Sequence, residues 1–264
     1  MAATPDTGDD LARVTANFRQ YLMGWGAELS DWGDPEHYRS GLAQPQFNGV
    51  VRLRSLDAVE EAMATARARL AGVPWWWWVG PDSPAGTAEA LAGLGAVSLG
   101  AAPLMTRSLD RVEETEEPPP GLRIEEAGDG QRLRELVRTY SASMGVSPSL
   151  EDGVVRVEAG RSDNADIVRL AAVLDGRVVG TTVVIMAHEV AGVFLVHVAQ
   201  AYRRRGVGGA LTTAALRTGR ERGMRLAALG ASPMGEPLYR RFGFETVSAY
   251  HLFSGPTSDT QQSQ

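Results

Sequence analysis

The stretch Val198 to Leu211 reads Val-Ala-Gln-Ala-Tyr-Arg-Arg-Arg-Gly-Val-Gly-Gly-Ala-Leu. A β-rich run ends at Val198, a basic turn follows, and helical spacing starts at Gly206. That order builds an anion site. The first amides of a helix have no internal partner and point outward, and the helix dipole adds partial positive charge there. Gly206, Gly208 and Gly209 remove side chains so that a bulky phosphate can reach the backbone. Arg203, Arg204 and Arg205 add attraction and charge-assisted hydrogen bonds. A diphosphate is the natural guest. A surface turn of solvated arginines is the plainer reading of the same residues. The glycines open a helix directly after a strand, which favours the anion site.

Composition narrows the chemistry around that loop. The chain has 264 residues, is 44% hydrophobic and 22% charged, and carries a formal charge of −6. It is neither a basic nucleic-acid binder nor a disordered acidic polymer. Cys and Lys are both absent, and all 26 basic residues other than histidine are arginines. Thiolate nucleophiles, thiolate metal sites, Schiff-base lysines and a phosphate-loop lysine are therefore excluded. His37, His188, His197 and His251 are scattered without metal-ligand spacing, so no metal site is expected. There is no Gly-x-Ser-x-Gly elbow. No apolar run is long enough to span a bilayer, and Met1 to Asp10 lacks the features of a secretion signal. The expected location is cytoplasmic, with no membrane and no nucleic-acid partner.

The elements that must position the loop can be laid out from pattern. The run Glu113-Glu114-Thr115-Glu116-Glu117-Pro118-Pro119-Pro120 can continue neither helix nor sheet and reads as a linker. It divides the chain into domains at 1–112 and 121–254, with a frayed polar tail at 255–264. After it come a strand over Leu122–Ala127 and a helix over Asp129–Ser143. β-rich runs follow at 167–174, 178–186 and 193–198, the first two joined by the hairpin signal Asp175-Gly176. The helix from Gly206 stops near Gly223, a short strand covers Leu226–Leu229, and Ser232-Pro233 offers a helix start. That helix ends at Gly243, and Glu245–Phe253 alternates as a last strand. The order is β-α-(α)-β-β-β-α-β-α-β, a mixed α/β sheet.

The first half carries a fainter version of the same order. Gly49–Leu53 looks like a strand, Leu56–Leu70 a helix and Trp75–Val79 a strand. Ser83-Pro84-Ala85-Gly86 then parallels Ser232-Pro233-Met234-Gly235, and Leu94-Gly95-Ala96 parallels Phe242-Gly243-Phe244. This reads as a diverged internal repeat. Two unrelated α/β domains sharing a helix-start signal are the alternative.

Arg203-x-x-Gly206-x-Gly208 resembles the signature of the GNAT superfamily of N-acetyltransferases, and Leu238-Tyr239-Arg240-Arg241-Phe242-Gly243-Phe244 resembles a second element of that family. The resemblance covers about Leu122 to Phe253. It implies an α/β fold with a mixed, mostly antiparallel GNAT-like sheet flanked by helices. The first half would be a second, degenerate copy, as in tandem GNAT proteins. It implies acetyl-CoA as cosubstrate, without metal, and transfer of the acetyl group to a primary amine of a small molecule or peptide. The strand end at Val198, with Ala199 and Gln200, would pair with the pantetheine arm. The amides around Arg204, Arg205, Gly206, Val207, Gly208 and Gly209 would hold the pyrophosphate, with Arg203 and Ala210 also among the cofactor-binding residues. Tyr239 would protonate the departing thiolate. Where many relatives carry Asn, this chain has Ala231-Ser232; Ser232 serves either the CoA arm or a helix cap.

The general base is least defined. His197 lies beside the strand end and titrates in a useful range. It also alternates onto the face opposite Val198 and can simply pack there. His188 and Glu189 near a turn, or a water relay, are the other options. The first half has no glycine between its strand and helix, and its counterpart of Tyr239 falls near Leu91, so no chemistry is expected of it. All six tryptophans lie in this half, four of them at Trp75–Trp78. On a strand they point to both faces, and the second domain is expected to cover the outer pair. Asp31, Asp34 and Glu36 near Trp32 read as a solvated acidic loop or a cation-attracting one. A non-catalytic acyl-CoA-binding or sensor module is the alternative function, and either would act as a monomer or homodimer.

Overall fold

The computed structural model of the protein describes residues 7–110 and 118–255. The acidic part of the expected linker, Glu113–Glu117, and the tail from 256 lie outside the described residues. In chain order the elements are α1 (Thr7–Met23), β1 (Leu29–Asp31), β2 (Glu36–Arg39), β3 (Asn48–Arg52), α2 (Val59–Arg69), β4 (Trp76–Val79), α3 (Thr87–Gly93) and β5 (Val97–Ser108). They continue with β6 (Arg123–Glu126), α4 (Gly130–Met144), α5 (Glu151–Ala159), β7 (Ile167–Leu174), β8 (Arg177–Ala187), β9 (Val190–Val198), α6 (Val207–Glu221), β10 (Leu226–Gly230), α7 (Glu236–Arg241) and β11 (Glu245–Ser254).

The chain folds into two compact units that interleave. Among the described residues, one comprises 7–21, 103–110 and 118–247, the other 22–102 and 248–255. This differs from the expected division at 1–112 and 121–254, because the boundaries fall inside α1, β5 and β11. Pairing decides membership. Leu104–Ser108 of β5 pair with Leu226–Gly230 of β10, and His251–Ser254 of β11 pair with Trp76–Val79 of β4.

In the first unit the strand order is β5-β10-β9-β8-β7-β6. Only β9 and β10 run parallel; the other neighbours are antiparallel. Local chemistry explains most boundaries. Asp175 and Gly176 both have positive φ (50° and 76°), the twist that joins β7 to β8 in a two-residue turn. The Asp129 side chain accepts the Arg132 N–H at 2.7 Å and caps α4, and Gly145 closes it at φ 69°. α6 buries Val207, Ala210, Leu211, Ala214 and Ala215, the face its spacing predicts. It approaches β9 so closely that a Cβ at Gly219 would fall 2.5 Å from the Ala191 methyl.

The second unit has the order β1-β2-β3-β4-β11, again with one parallel pair, β3 beside β4. The sequence β3-α2-β4-α3 here repeats β9-α6-β10-α7 of the first unit, strand pairing included. Trp77 points into the core with Met63, Leu70 and Leu91. On the other face Trp76 and Trp78 meet edge-on, and Trp78 meets Tyr250 of β11 at 6.3 Å. The residue against the outer tryptophans thus comes from the end of the chain but belongs to this same unit.

Two helix starts differ from expectation. α3 begins at Thr87, after Gly86 at φ 89°, and α7 begins at Glu236. The Ser-Pro pairs form separate turns one turn earlier. Pro84 O accepts the Thr87 N–H, and the Ser232 hydroxyl and carbonyl accept the Gly235 N–H at 3.1 and 2.9 Å. The periodicity argument also missed α1, β1 and β2.

Candidate active site

β9 and β10 stay paired for only three positions, Val190–Gly192 opposite Leu226–Ala228. Beyond that point they part, and the free edge of β9 runs on to Val198. β9 also carries a bulge. Leu195 has φ 49°, and the register to β8 shifts between Thr181 and Val183. A leucine at positive φ is costly, and two buried hydroxyls support it. Thr181 Oγ1 donates to Leu195 O at 2.9 Å and Thr182 Oγ1 to Phe194 O at 3.2 Å. Neither the bulge nor its two threonines shows in the sequence pattern.

At the end of β9 the chain makes one 3-10 turn at Gln200–Tyr202, with Ala199 N–H held by Val179 O. The backbone then turns sharply, with Arg204 at φ 62° and Gly206 at φ 80°, and α6 begins. Ala210 N–H is the first in the helix to reach an i−4 carbonyl, Gly206 O at 3.0 Å. The amides of Val207, Gly208 and Gly209 precede it and open outward. Gly206 and the arginines 203–205 are exposed. A Cβ on Gly208 would stand in ordinary contact with Leu238, at 3.4 Å. This is the loop where the sequence expects an anion site. Within it the Ala210 amide is already hydrogen-bonded to Gly206 O and its methyl is in the core. The side chain of Val207 is in the core as well, so that residue contributes only its backbone. Arg203 turns back to donate to Val198 O at 3.1 Å, and Arg205 lies over the Tyr202 ring.

Tyr239 comes to the same gap from α7. It packs in one cluster with Val193 of β9, Leu229 of β10 and Ala231 just after that strand. Its ring stands edge-on to Phe244. Burial alone pushes its phenol up to about 12, so it keeps its proton at neutral pH. Ser232, left open between two roles, spends its hydroxyl on the turn before α7.

The candidates for a base fare unevenly. His197 is mostly buried on β9, opposite Thr181. Burial, and then the charge of Arg203, hold its imidazole down to about 4, so it is neutral and a weak base at pH 7. His188 and Glu189 form the β8–β9 turn at φ 56° and 61°, at the far end of β9 from Val198. That end is about 25 Å away along the strand. Glu189 is ion-paired to Arg13 and its carbonyl takes the Arg225 N–H. Neither residue reaches the gap. In the second unit the acidic loop divides by burial, with Asp34 exposed and Glu36 enclosed. Glu36 is 2% exposed and bound by Arg52 and Arg54, while Asp34 accepts the Arg54 N–H.

One contribution was invisible in the sequence. Within the first unit α1 packs so that Asn17 Nδ2 lies 2.9–3.2 Å from the carbonyls of Ile185, Ala187 and Val190. Val14, Phe18, Leu104, Phe194, Ala228 and Leu229, with Asn17, line a narrow hollow where β9 and β10 part. Among the described residues no group of three or more His, Asp or Glu could hold a metal, and no helix is long and apolar enough to cross a membrane.

These features match known proteins. Residues 133–244 match the model of the acetyltransferase (GNAT) family. A GCN5-related N-acetyltransferase from Kribbella flavida has the same fold, with a TM-score of 0.72, 18% identity, and coverage of 95% of this chain and 97% of that one. A GCN5-related N-acetyltransferase from Sphaerobacter thermophilus gives 0.61 at 20% identity, over 76% of this chain and 67% of that one. A tandem GNAT protein from the clavulanic acid biosynthesis pathway gives 0.57 at 17% identity, over 95% and 98%. No curated protein matches the sequence. Residues 133–244 are thus similar to the acetyltransferase (GNAT) family, and over nearly its whole length the chain shares the fold of a tandem GNAT protein.

Proposed function

We propose that the protein is a cytoplasmic N-acetyltransferase that moves an acetyl group from acetyl-CoA to a primary amine of a small molecule or peptide, as a monomer or homodimer. The observation that carries this reading is the parting of β9 from β10. On this reading the acetyl-CoA arm lies in that gap, with the first turn of α6 (Val207–Gly209) at the diphosphate and the buried phenol of Tyr239 at the thioester. The residues fit CoA. The cradle offers unpaired amides and three arginines to a diphosphate, and the free edge of β9 offers strand-like hydrogen bonds to an extended amide arm.

Acetyl-CoA supplies an activated thioester carbonyl. The acceptor nitrogen attacks that carbon and the carbon–sulfur bond breaks. Tyr239 gives its proton to the sulfur as charge builds there, and its oxygen regains a proton from the ammonium side by way of solvent. The cradle amides and arginines hold the diphosphate, while Thr181 and Thr182 fix the bulged backbone beside the reacting carbonyl. Catalysis here is largely positioning, since direct attack by a held amine removes most of the entropy barrier.

The second reading, an acyl-CoA-binding or sensor module, draws on the weakness of His197 as a base. One experiment separates the two. Calorimetry with acetyl-CoA tests binding, and a panel of amines monitored for free CoA tests transfer. Binding with turnover supports the enzyme, binding without turnover on any amine supports the sensor, and no binding at high micromolar acetyl-CoA removes both.

A further inference from the structure

We infer that the N-terminal helix α1, through Phe18 and Val14, forms a stop that limits the length of the acyl group; this rests on the acetyl-CoA reading above. The direction of the ligand follows from the strand. The diphosphate cradle lies past the C-terminal end of β9, and an arm anchored there runs back along the free edge toward Phe194. Val198 to Phe194 is four residues, about 13 Å. The acyl end therefore points at the place where β9 and β10 rejoin, between Phe194 on one strand and Leu229 on the other.

α1 closes that place. Val14, Asn17 and Phe18 meet Phe194, Ala228, Leu229 and Leu104 around the narrow hollow. The Phe18 and Phe194 rings are 5.6 Å apart, and the Tyr21 ring stacks on Phe194 at 3.7 Å. Phe18 also lies over the backbone of Gly230, its Cε2 only 3.8 Å from where a Cβ would stand. Longer acyl chains have to displace these rings. The wall is fixed in place, because Asn17 anchors α1 to three carbonyls of β8 and β9 between Phe18 and Val14 in sequence. The lining is apolar apart from Asn17, so size and not charge does the selecting. α1 lies outside residues 133–244, so the stop is a contribution of this chain's own N-terminal segment.

The test is calorimetric titration of the full chain with CoA, acetyl-CoA, butyryl-CoA and hexanoyl-CoA. CoA has no acyl group and serves as the reference. The wild type is expected to bind acetyl-CoA at least about tenfold more tightly than hexanoyl-CoA, the range a few methylenes command in an apolar pocket. In Phe18→Ala that ratio should fall to within about threefold. Val14→Ala and Phe18→Leu remove less volume and carry the same test should Phe18→Ala fail to melt cooperatively. Equal affinity of the wild type for acetyl-CoA and hexanoyl-CoA overturns the stop, as does a ratio unchanged in every folded variant. Failure of the wild type to bind CoA itself overturns the function proposed above and is a distinct result.

Discussion

Asn17 fills the space that a side chain at position 192 would need. A Cβ at Gly192 would collide with its Oδ1 and would stand 2.8 Å from the Phe194 ring. The two residues are far apart in sequence, yet this contact seats α1 at the root of the gap between β9 and β10. Gly192→Ala is expected to destabilise the fold by about 1–3 kcal/mol through overpacking. Asn17→Ala should cost a similar amount, about 1–3 kcal/mol, by leaving buried carbonyls unpaired. In a denaturation double-mutant cycle the alanine at 192 should cost less once Asn17 is gone. Simple additivity would mean that the contact does not constrain α1.

Tyr239→Phe removes the phenol and keeps the ring in its cluster with Val193 and Leu229. Turnover on an accepted amine should fall on the order of a hundredfold, as for loss of a general acid. Affinity for CoA should stay within a factor of about two, far below the tenfold that 1.4 kcal/mol represents. Because burial raises the phenol to about 12, the wild-type rate should show no loss from Tyr239 ionisation below about pH 11. Undiminished turnover in Tyr239→Phe would remove the residue from the mechanism.

Gly208→Val tests the cradle. The branched side chain starts 3.4 Å from Leu238 on the first turn of α6, where the proposed diphosphate would lie. The dissociation constant for CoA should rise at least about tenfold, the loss of one charge-assisted hydrogen bond of roughly 1.5–3 kcal/mol. The melting temperature should move little, since the site is on the first turn of α6. Unchanged CoA affinity would place the diphosphate elsewhere.

His197 makes the first unit sensitive to acid. Its pKa is held at about 4 in the fold against 6.5 for an ordinary histidine, by burial and by Arg203. The unfolded chain therefore binds more protons than the folded chain between those values. Stability is full above pH 6.5, falls as pH drops toward 4, and levels off below. The span corresponds to roughly 3 kcal/mol at most. His197→Gln should flatten that slope in chemical denaturation at pH 7, 5.5 and 4.5. An identical slope in the variant would assign the acid sensitivity to other groups.

Much of the first unit was legible because its signals are local. The cap at Asp129, the Asp175-Gly176 turn, the positive-φ glycines at 206, 223 and 243, and the apolar face of α6 each act within a few residues. The Ser-Pro pairs misplaced two helix starts, since the same residues that cap a helix also close a turn that precedes one. α1 was missed for a different reason: nothing near Asn17 or Phe18 says that their partners lie on β8 and β9, some 170 residues away.

By itself the sequence determined the strand–turn–helix order around the glycines at 206–209, the place of Tyr239 on a helix that follows a strand, and the repeated β-α-β-α order, because glycine, proline and periodicity constrain backbone directly. Only the tertiary structure decided where β9 leaves β10, how Thr181 and Thr182 hold the Leu195 bulge, that β5 and β11 lend their ends to different units, and which helix walls the gap. Those outcomes depend on strand pairing and on close contacts between distant segments. Such contacts are settled by which surfaces fit when the chain is compact and leave no periodic mark on the residues that make them.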